Sequence, residues 1–142
     1  MAEKFEDMDC WKVARELSMA VYRVTNDESC RRDFGFCDQI RRAAVSVMNN
    51  VADGFDRGSR KDFIKFLYIA RASAAEVRSM TYLGLDLGYF TPQEFEEIQS
   101  LTRRCGGLTW GLIKSLRSKL NLGEKLAILV FLAILPFIYR TL

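Results

Sequence analysis

Four residues in the last third of the chain, Arg103, Trp110, Lys114 and Arg117, are of the types that hold a nucleic-acid strand. Cationic side chains neutralise phosphates, and an indole face stacks on a base of any identity. On a helix turning about 100° per residue, the other three fall within about 40° of Arg103, opposite a leucine stripe. No acidic residue occurs from Ile98 through Gly123, so nothing on this segment opposes a polyanion. The same pattern has a plainer reading, in which Trp110 fills a contact between subunits and the cations form a solvated rim. Arg41 and Arg42 are further candidates for phosphate contact.

Other chemistry is harder to assemble. The chain has no histidine, which removes the commonest general base and metal ligand and the Glu-x-x-His pairs of di-iron helical proteins. Asp53 and Asp56 read as solvated acids at a helix end, because no base or metal partner accompanies them. Cys10, Cys30, Cys37 and Cys105 lack C-x-x-C spacing, and Met-Ala-Glu-Lys is not an apolar signal region, so a reduced cytoplasmic protein is expected. No catalytic residue, metal site or cofactor is expected. A balance of 21 Lys plus Arg against 18 Asp plus Glu leaves +3, too small to indicate nucleic acid without local clustering.

Four amphipathic helices must position these groups. Trp11, Ala14, Leu17, Val21 and Val24 recur at helical spacing and predict helix one from about residue 7 to 26. Helix two begins near Phe34, buries Phe36, Ile40, Ala43, Val47 and Val51, and ends at Gly58. Ser59 with Asp62 forms a capping box for helix three, which runs to Leu87 before Gly88. Thr91-Pro92-Gln93-Glu94 starts helix four. Its expected core stripe is Ile98, Leu101, Cys105, Leu108, Leu112, Leu116 and Leu120, and close helix approach would justify Gly106-Gly107. Short connections and no period-two segment give an all-α fold, an antiparallel up-down-up-down four-helix bundle over residues 1–121.

Reflecting helix two onto helix three through the Gly58-Ser59 turn brings Arg42 near Glu76. An ion pair between them is expected, with Ser46, Asn50 and Ser73 in the same structural network. Arg41, on another azimuth, is left for a partner. Helix three has more apolar surface than one core needs: beside Phe63, Phe66, Leu67, Ala70, Ala74 and Val77, a second stripe gathers Ile64, Tyr68, Ala75 and Tyr82. That stripe predicts a homo-oligomer interface, while a monomer with partly exposed tyrosines is the alternative.

The segment Gln39-Ile40-Arg41-Arg42-Ala43-Ala44-Val45-Ser46-Val47-Met48-Asn49-Asn50-Val51-Ala52-Asp53-Gly54, followed by Asp62-Phe63-Ile64-Lys65-Phe66-Leu67-Tyr68-Ile69-Ala70-Arg71-Ala72-Ser73, resembles the signature of a known family. This is the four-helix-bundle family encoded by intervening sequences inside bacterial 23S ribosomal RNA genes. Trp11, Ala14, Leu17, Tyr22, Thr25, Gly35, Leu87-Gly88-Tyr89 and Leu116-Arg117 fit the same pattern, so the resemblance covers roughly residues 8–120. Met48 stands where the pattern usually has proline, which predicts an unkinked helix two; Glu28-Ser29 replaces a Phe-Pro pair. The resemblance implies homopentamers of antiparallel bundles, but no reaction. A more distant relative, the accessory protein of diversity-generating retroelements, implies a reverse transcriptase and RNA or DNA as partners.

Beyond Gly123 the composition changes. Leu126 through Tyr139 is uncharged and apolar, is bracketed by Lys125 and Arg140, and lies outside the resemblance. Its fourteen residues span about 21 Å as a helix, short of the roughly 30 Å hydrocarbon core. Residues 122–142 are therefore a separate tail, with a short membrane anchor, packing along the bundle or in an oligomer, and a reading-frame extension as the alternatives. The leading functional expectation is an oligomeric, non-enzymatic scaffold that binds RNA or DNA through helix four. The second is a membrane-tethered interaction module.

Overall fold

Beyond the first helix, which has no side-chain cap, helices in this chain begin where a side chain takes up backbone amides that a helix leaves unbonded. Asp27 accepts from the Ser29 amide and starts the short helix α2, Glu28–Arg31, which follows α1, Asp9–Thr25. Asp33 accepts from the Phe36 amide at 3.0 Å and opens α3, Phe34–Asp56. Its carboxylate also accepts from the Tyr89 hydroxyl at 2.8 Å. These two bonds, the backbone one foremost, hold Asp33 below the usual carboxylate range. Ser59 caps α4, Arg60–Asp86, and Gly58 at φ +71 makes the reversal before it. Thr91 and Glu94 complete a reciprocal box at the start of α5, Pro92–Arg117, with bonds of 3.2 and 2.8 Å. Asn121 and Glu124 build another for α6, Leu122–Arg140.

The computed structural model describes residues 2–140, and they are all-helical, with no strand among the described residues. A 3-10 turn over Phe5–Asp7 precedes α1. α3 runs unbroken through Met48, as expected where no proline interrupts the ladder. The four long helices form a helical bundle in which α1 and α4 each pack on both α3 and α5. Leu17, Val21, Ile40, Val47, Val51, Leu67, Ile98 and Ile113 are completely buried between them. Gly54 permits the close approach of α3 to α4: a Cβ there would lie 2.6 Å from Cβ of Phe66.

The inward face of α5 departs from the expected leucine stripe. Leu108 is 38% exposed and Leu112 half-buried, while Thr109 and Ile113 face the core at 1% and 0%. Thr109 is tolerated there because its hydroxyl donates to the Cys105 carbonyl at 2.7 Å, hiding its polarity within the helix. Thr25, Thr81 and Ser18 do the same on α1 and α4. Gln99, also buried, donates to the Arg78 carbonyl at 3.0 Å. Close helix approach does not explain Gly106 and Gly107, since a Cβ at either meets nothing within 4 Å.

The apolar tail is helical and returns to α4. Ile128 is buried, and the Lys65 ammonium sits 5.6 Å from the Phe131 ring centre. Among the described residues no helix is long and apolar enough to cross a membrane.

Candidate functional site

Because α5 turns Ile98, Cys105, Thr109, Ile113 and Leu116 inward, Arg103, Lys114 and Arg117 are exposed on its other side. Trp110 lies between those faces and is half-buried against the core. The Arg71 guanidinium, projecting from α4, stacks over its indole at 4.6 Å from the ring centre. Arg117 donates from Nη1 to the Tyr68 hydroxyl at 3.2 Å, so a second aromatic of α4 joins the same surface. Arg103 lies 3.8 Å from Glu96 in an exposed pair that offers solvent screening rather than firm attachment. Gly107 and Gly111 are exposed here, with open space beyond both. A strand laid on this face can approach the α5 backbone while cations flank the indole. Arg71 was not singled out by sequence, although it lies one helical turn from Tyr68 and so projects toward the same α4–α5 seam.

Arg41 does not join this surface. It stands on α3, diagonal to α5, where its Nε donates to Thr25 Oγ1 at 2.7 Å and its guanidinium covers the Tyr22 ring at 4.9 Å. There it lines an open groove of about 1200 Å³ bounded by α1, α2 and α3, together with Arg31, Arg32 and Arg42.

The expected Arg42–Glu76 ion pair is not formed. Arg42 is 78% exposed and lies 3.7 Å from Asp38, one turn back on its own helix, while Glu76 accepts from Gln39. The turn-based reflection does not fix the azimuth of a long exposed side chain. The uncharged members do converge: the Ser46 and Ser73 hydroxyls are 2.8 Å apart, and Asn50 Nδ2 donates to the Ser46 carbonyl and hydroxyl at 2.8 and 3.0 Å. This is a structural link between α3 and α4.

The second stripe of α4 divides. Ile64 is completely buried within the chain and is corrected from an oligomer contact to a core residue. The packing of α6 on α4, with Phe131 against Lys65, covers part of α4 from within the same chain. Tyr68 is half-buried beside Arg117, whereas Ala75 and Tyr82 are exposed. Tyr82 makes an edge contact with Phe95 at 5.0 Å.

All four thiols are unbridged and buried. Burial pushes Cys10 up to about 11 and Cys105 to about 12. Cys30 reaches about 12 through burial and its neighbour Cys37, whose sulfur lies 3.1 Å away. Raised thiols are poor nucleophiles and poor metal ligands. Among the described residues no cluster of three His, Cys, Asp or Glu side chains is placed to hold a metal ion.

No curated protein matches this chain. Among solved structures, it is similar to a protein of unknown function from the S23 ribosomal protein family of Bacteroides thetaiotaomicron. The two are 25% identical with a TM-score of 0.68, covering 74% of this chain and 98% of that one. Residues 6–111 match the family described as 23S rRNA-intervening sequence protein, a span that includes the Arg41-Arg42 and Asp62-Phe63 segments of α3 and α4. The match takes in well over half of the sequence, and the chain belongs to the 23S rRNA-intervening sequence protein family.

Proposed function

We propose that the protein is a non-enzymatic, homo-oligomeric scaffold of the cytoplasm that holds single-stranded RNA or DNA on the basic face of α5. Its body is an antiparallel up-down-up-down four-helix bundle over residues 1–121, with residues 122–142 as a separate tail. Contact order along neighbouring helices supports that topology, because partners descend on one helix as they rise on the next. Tyr82 meets Phe95, Arg78 meets Gln99, Arg71 meets Trp110 and Tyr68 meets Arg117. Glu16 and Arg23 of α1 likewise meet Arg104 and Glu97.

The observation that carries the nucleic-acid reading is half-buried Trp110 with Lys114 and Arg117 exposed on the same helix, on a segment free of acids from Ile98 to Gly123; a stacked base would take the place of the Arg71 guanidinium over the indole. Exposed Ala75 and Tyr82 support assembly of several copies, and the family resemblance sets the expected number at five. A reverse transcriptase is the protein partner to test, by analogy with the distant retroelement relative.

Titration of a fluorescent single-stranded oligonucleotide at low salt is the test. Binding should weaken as salt rises through counterion release, and Arg103→Gln with Lys114→Gln and Arg117→Gln should flatten that slope. Trp110→Ala should cost roughly 1 to 3 kcal/mol of affinity with the slope unchanged. Absence of binding at low salt by the assembled wild-type protein would overturn the nucleic-acid clause.

A further inference from the structure

The groove between α1, α2 and α3 carries a charge imbalance that the α5 surface does not account for. Its lining holds Arg31, Arg32, Arg41 and Arg42 against one acid, Asp38. With Glu28, which pairs with both Arg31 and Arg32 at the rim, the local surplus is two positive charges. Arg41 is already positioned: Thr25 holds its Nε at 2.7 Å and Tyr22 supports the guanidinium plane. Its terminal Nη groups make no hydrogen bond among the described residues. Arg32 and Arg42 stand at 80% and 78% exposure in solvent-exposed ion pairs with Glu28 and Asp38 at 3.2 and 3.7 Å. Exposed pairs of this kind stabilise little and exchange readily for a stronger anion.

Shape narrows the ligand. The lining on α3 extends from Phe34 to Asn50, which corresponds to about 24 Å of helix. The volume of about 1200 Å³ exceeds the roughly 300 to 1,000 Å³ of most small-molecule sites. The wall beneath is of mixed polarity, with Tyr22, Phe34 and Val45 beside Ser46 and Asn50, which are engaged in their own hydrogen bonds, so it is the four arginines that favour an anion over the greasy side of an amphipathic helix. Planar guanidinium forks match phosphate oxygens two at a time.

We propose that this groove is an anion site, distinct from the α5 face, that takes a ligand presenting several phosphates in a row. Free polyphosphate and a nucleic-acid backbone share that chemistry. Arg41 is the fixed anchor, Arg32 and Arg42 are the mobile clamps, and Asp38 competes with the ligand for Arg42. The inference stands without the α5 reading, since α3 and α5 do not share a face.

The experiment is calorimetric titration of the full chain at low salt with tripolyphosphate and, separately, with a single-stranded oligonucleotide of about 12 nucleotides. Arg32→Gln with Arg42→Gln should weaken binding roughly tenfold or more, the loss expected for two charge-assisted contacts. Asp38→Asn should tighten it about threefold, a sign opposite to that of mere loss of an ion pair. Thermal melts establish that both variants are folded. Tripolyphosphate binding with this pattern supports the site and names the free ligand. Oligonucleotide binding alone with this pattern supports the site and names the backbone. Unchanged affinities in both variants, or binding abolished only by the α5 triple variant, would overturn the groove and leave the α5 reading standing.

Discussion

Replacing Gly54 by alanine isolates the contact that sets the spacing of α3 and α4. A methyl group there would lie 2.6 Å from Phe66 Cβ and 2.9 Å from Phe63 Cδ2. Carbon atoms pack at about 3.5 to 4.0 Å, so the helices must part by about 1 Å. Rotation cannot relieve this, because Cβ of Phe66 is fixed to its own backbone. Overpacking costs about 1 to 3 kcal/mol, and a rigid partner puts this site at the upper end. Helix propensity returns about 1 kcal/mol. The balance is a loss of about 1 to 2 kcal/mol, or a melting temperature lower by roughly 3 to 8 °C. Gly106→Ala is the internal control: nothing lies within 4 Å of its added Cβ, so it should gain up to about 1 kcal/mol. Scanning calorimetry measures both. A Gly54→Ala protein that melts at or above the wild type, beside a stabilised Gly106→Ala, would refute the close-approach argument.

Ser73→Ala should cost about 1 kcal/mol by removing the link to Ser46, whereas Arg42→Ala, on an exposed pair, should change stability by less than about 0.5 kcal/mol; chemical denaturation separates them. Cys10, Cys30 and Cys105 have folded pKa values of about 11, 12 and 12 against 9.0 when exposed. Above pH 9 the unfolded chain therefore loses thiol protons that the folded chain retains, and stability should fall as pH climbs toward 12. Denaturant midpoints that stay level over that range would contradict the burial. Tyr68→Glu with Tyr82→Glu should reduce particle mass in sedimentation if this part of α4 joins copies. Truncation after Asn121 should leave a folded protein by circular dichroism, as a separate tail requires.

Helix starts were readable because their causes are local. Ser59, the Thr91–Glu94 pair and the left-handed Gly58 and Gly88 act within a few residues of where they stand. α2 was missed because its signal is one aspartate and four residues, too short for periodicity to register. Thr109 displaced Leu108 in the core because a threonine that bonds its own helix is apolar in effect, which a hydrophobicity count cannot register. For the site, Arg103, Lys114 and Arg117 were found on the exposed side of α5, where helical phase put them. Arg71 and the Arg31–Arg32 wall depend on how separate helices meet. Arg42 and Glu76 illustrate the same gap: Asp38 and Gln39 were nearer partners.

The reciprocal Asn121–Glu124 bonds make α6 a helix with its own start, rather than a continuation of α5. Among the described side chains of α6, Ile128 alone is buried. Withdrawing it together with the partly buried Leu132, which also packs on the core, costs on the order of a few kcal/mol, so the segment should swing away from α4 more readily than the bundle unfolds. Amide protons of α6 would then exchange through this local opening, ahead of those in α3 and α4, which are released by global unfolding.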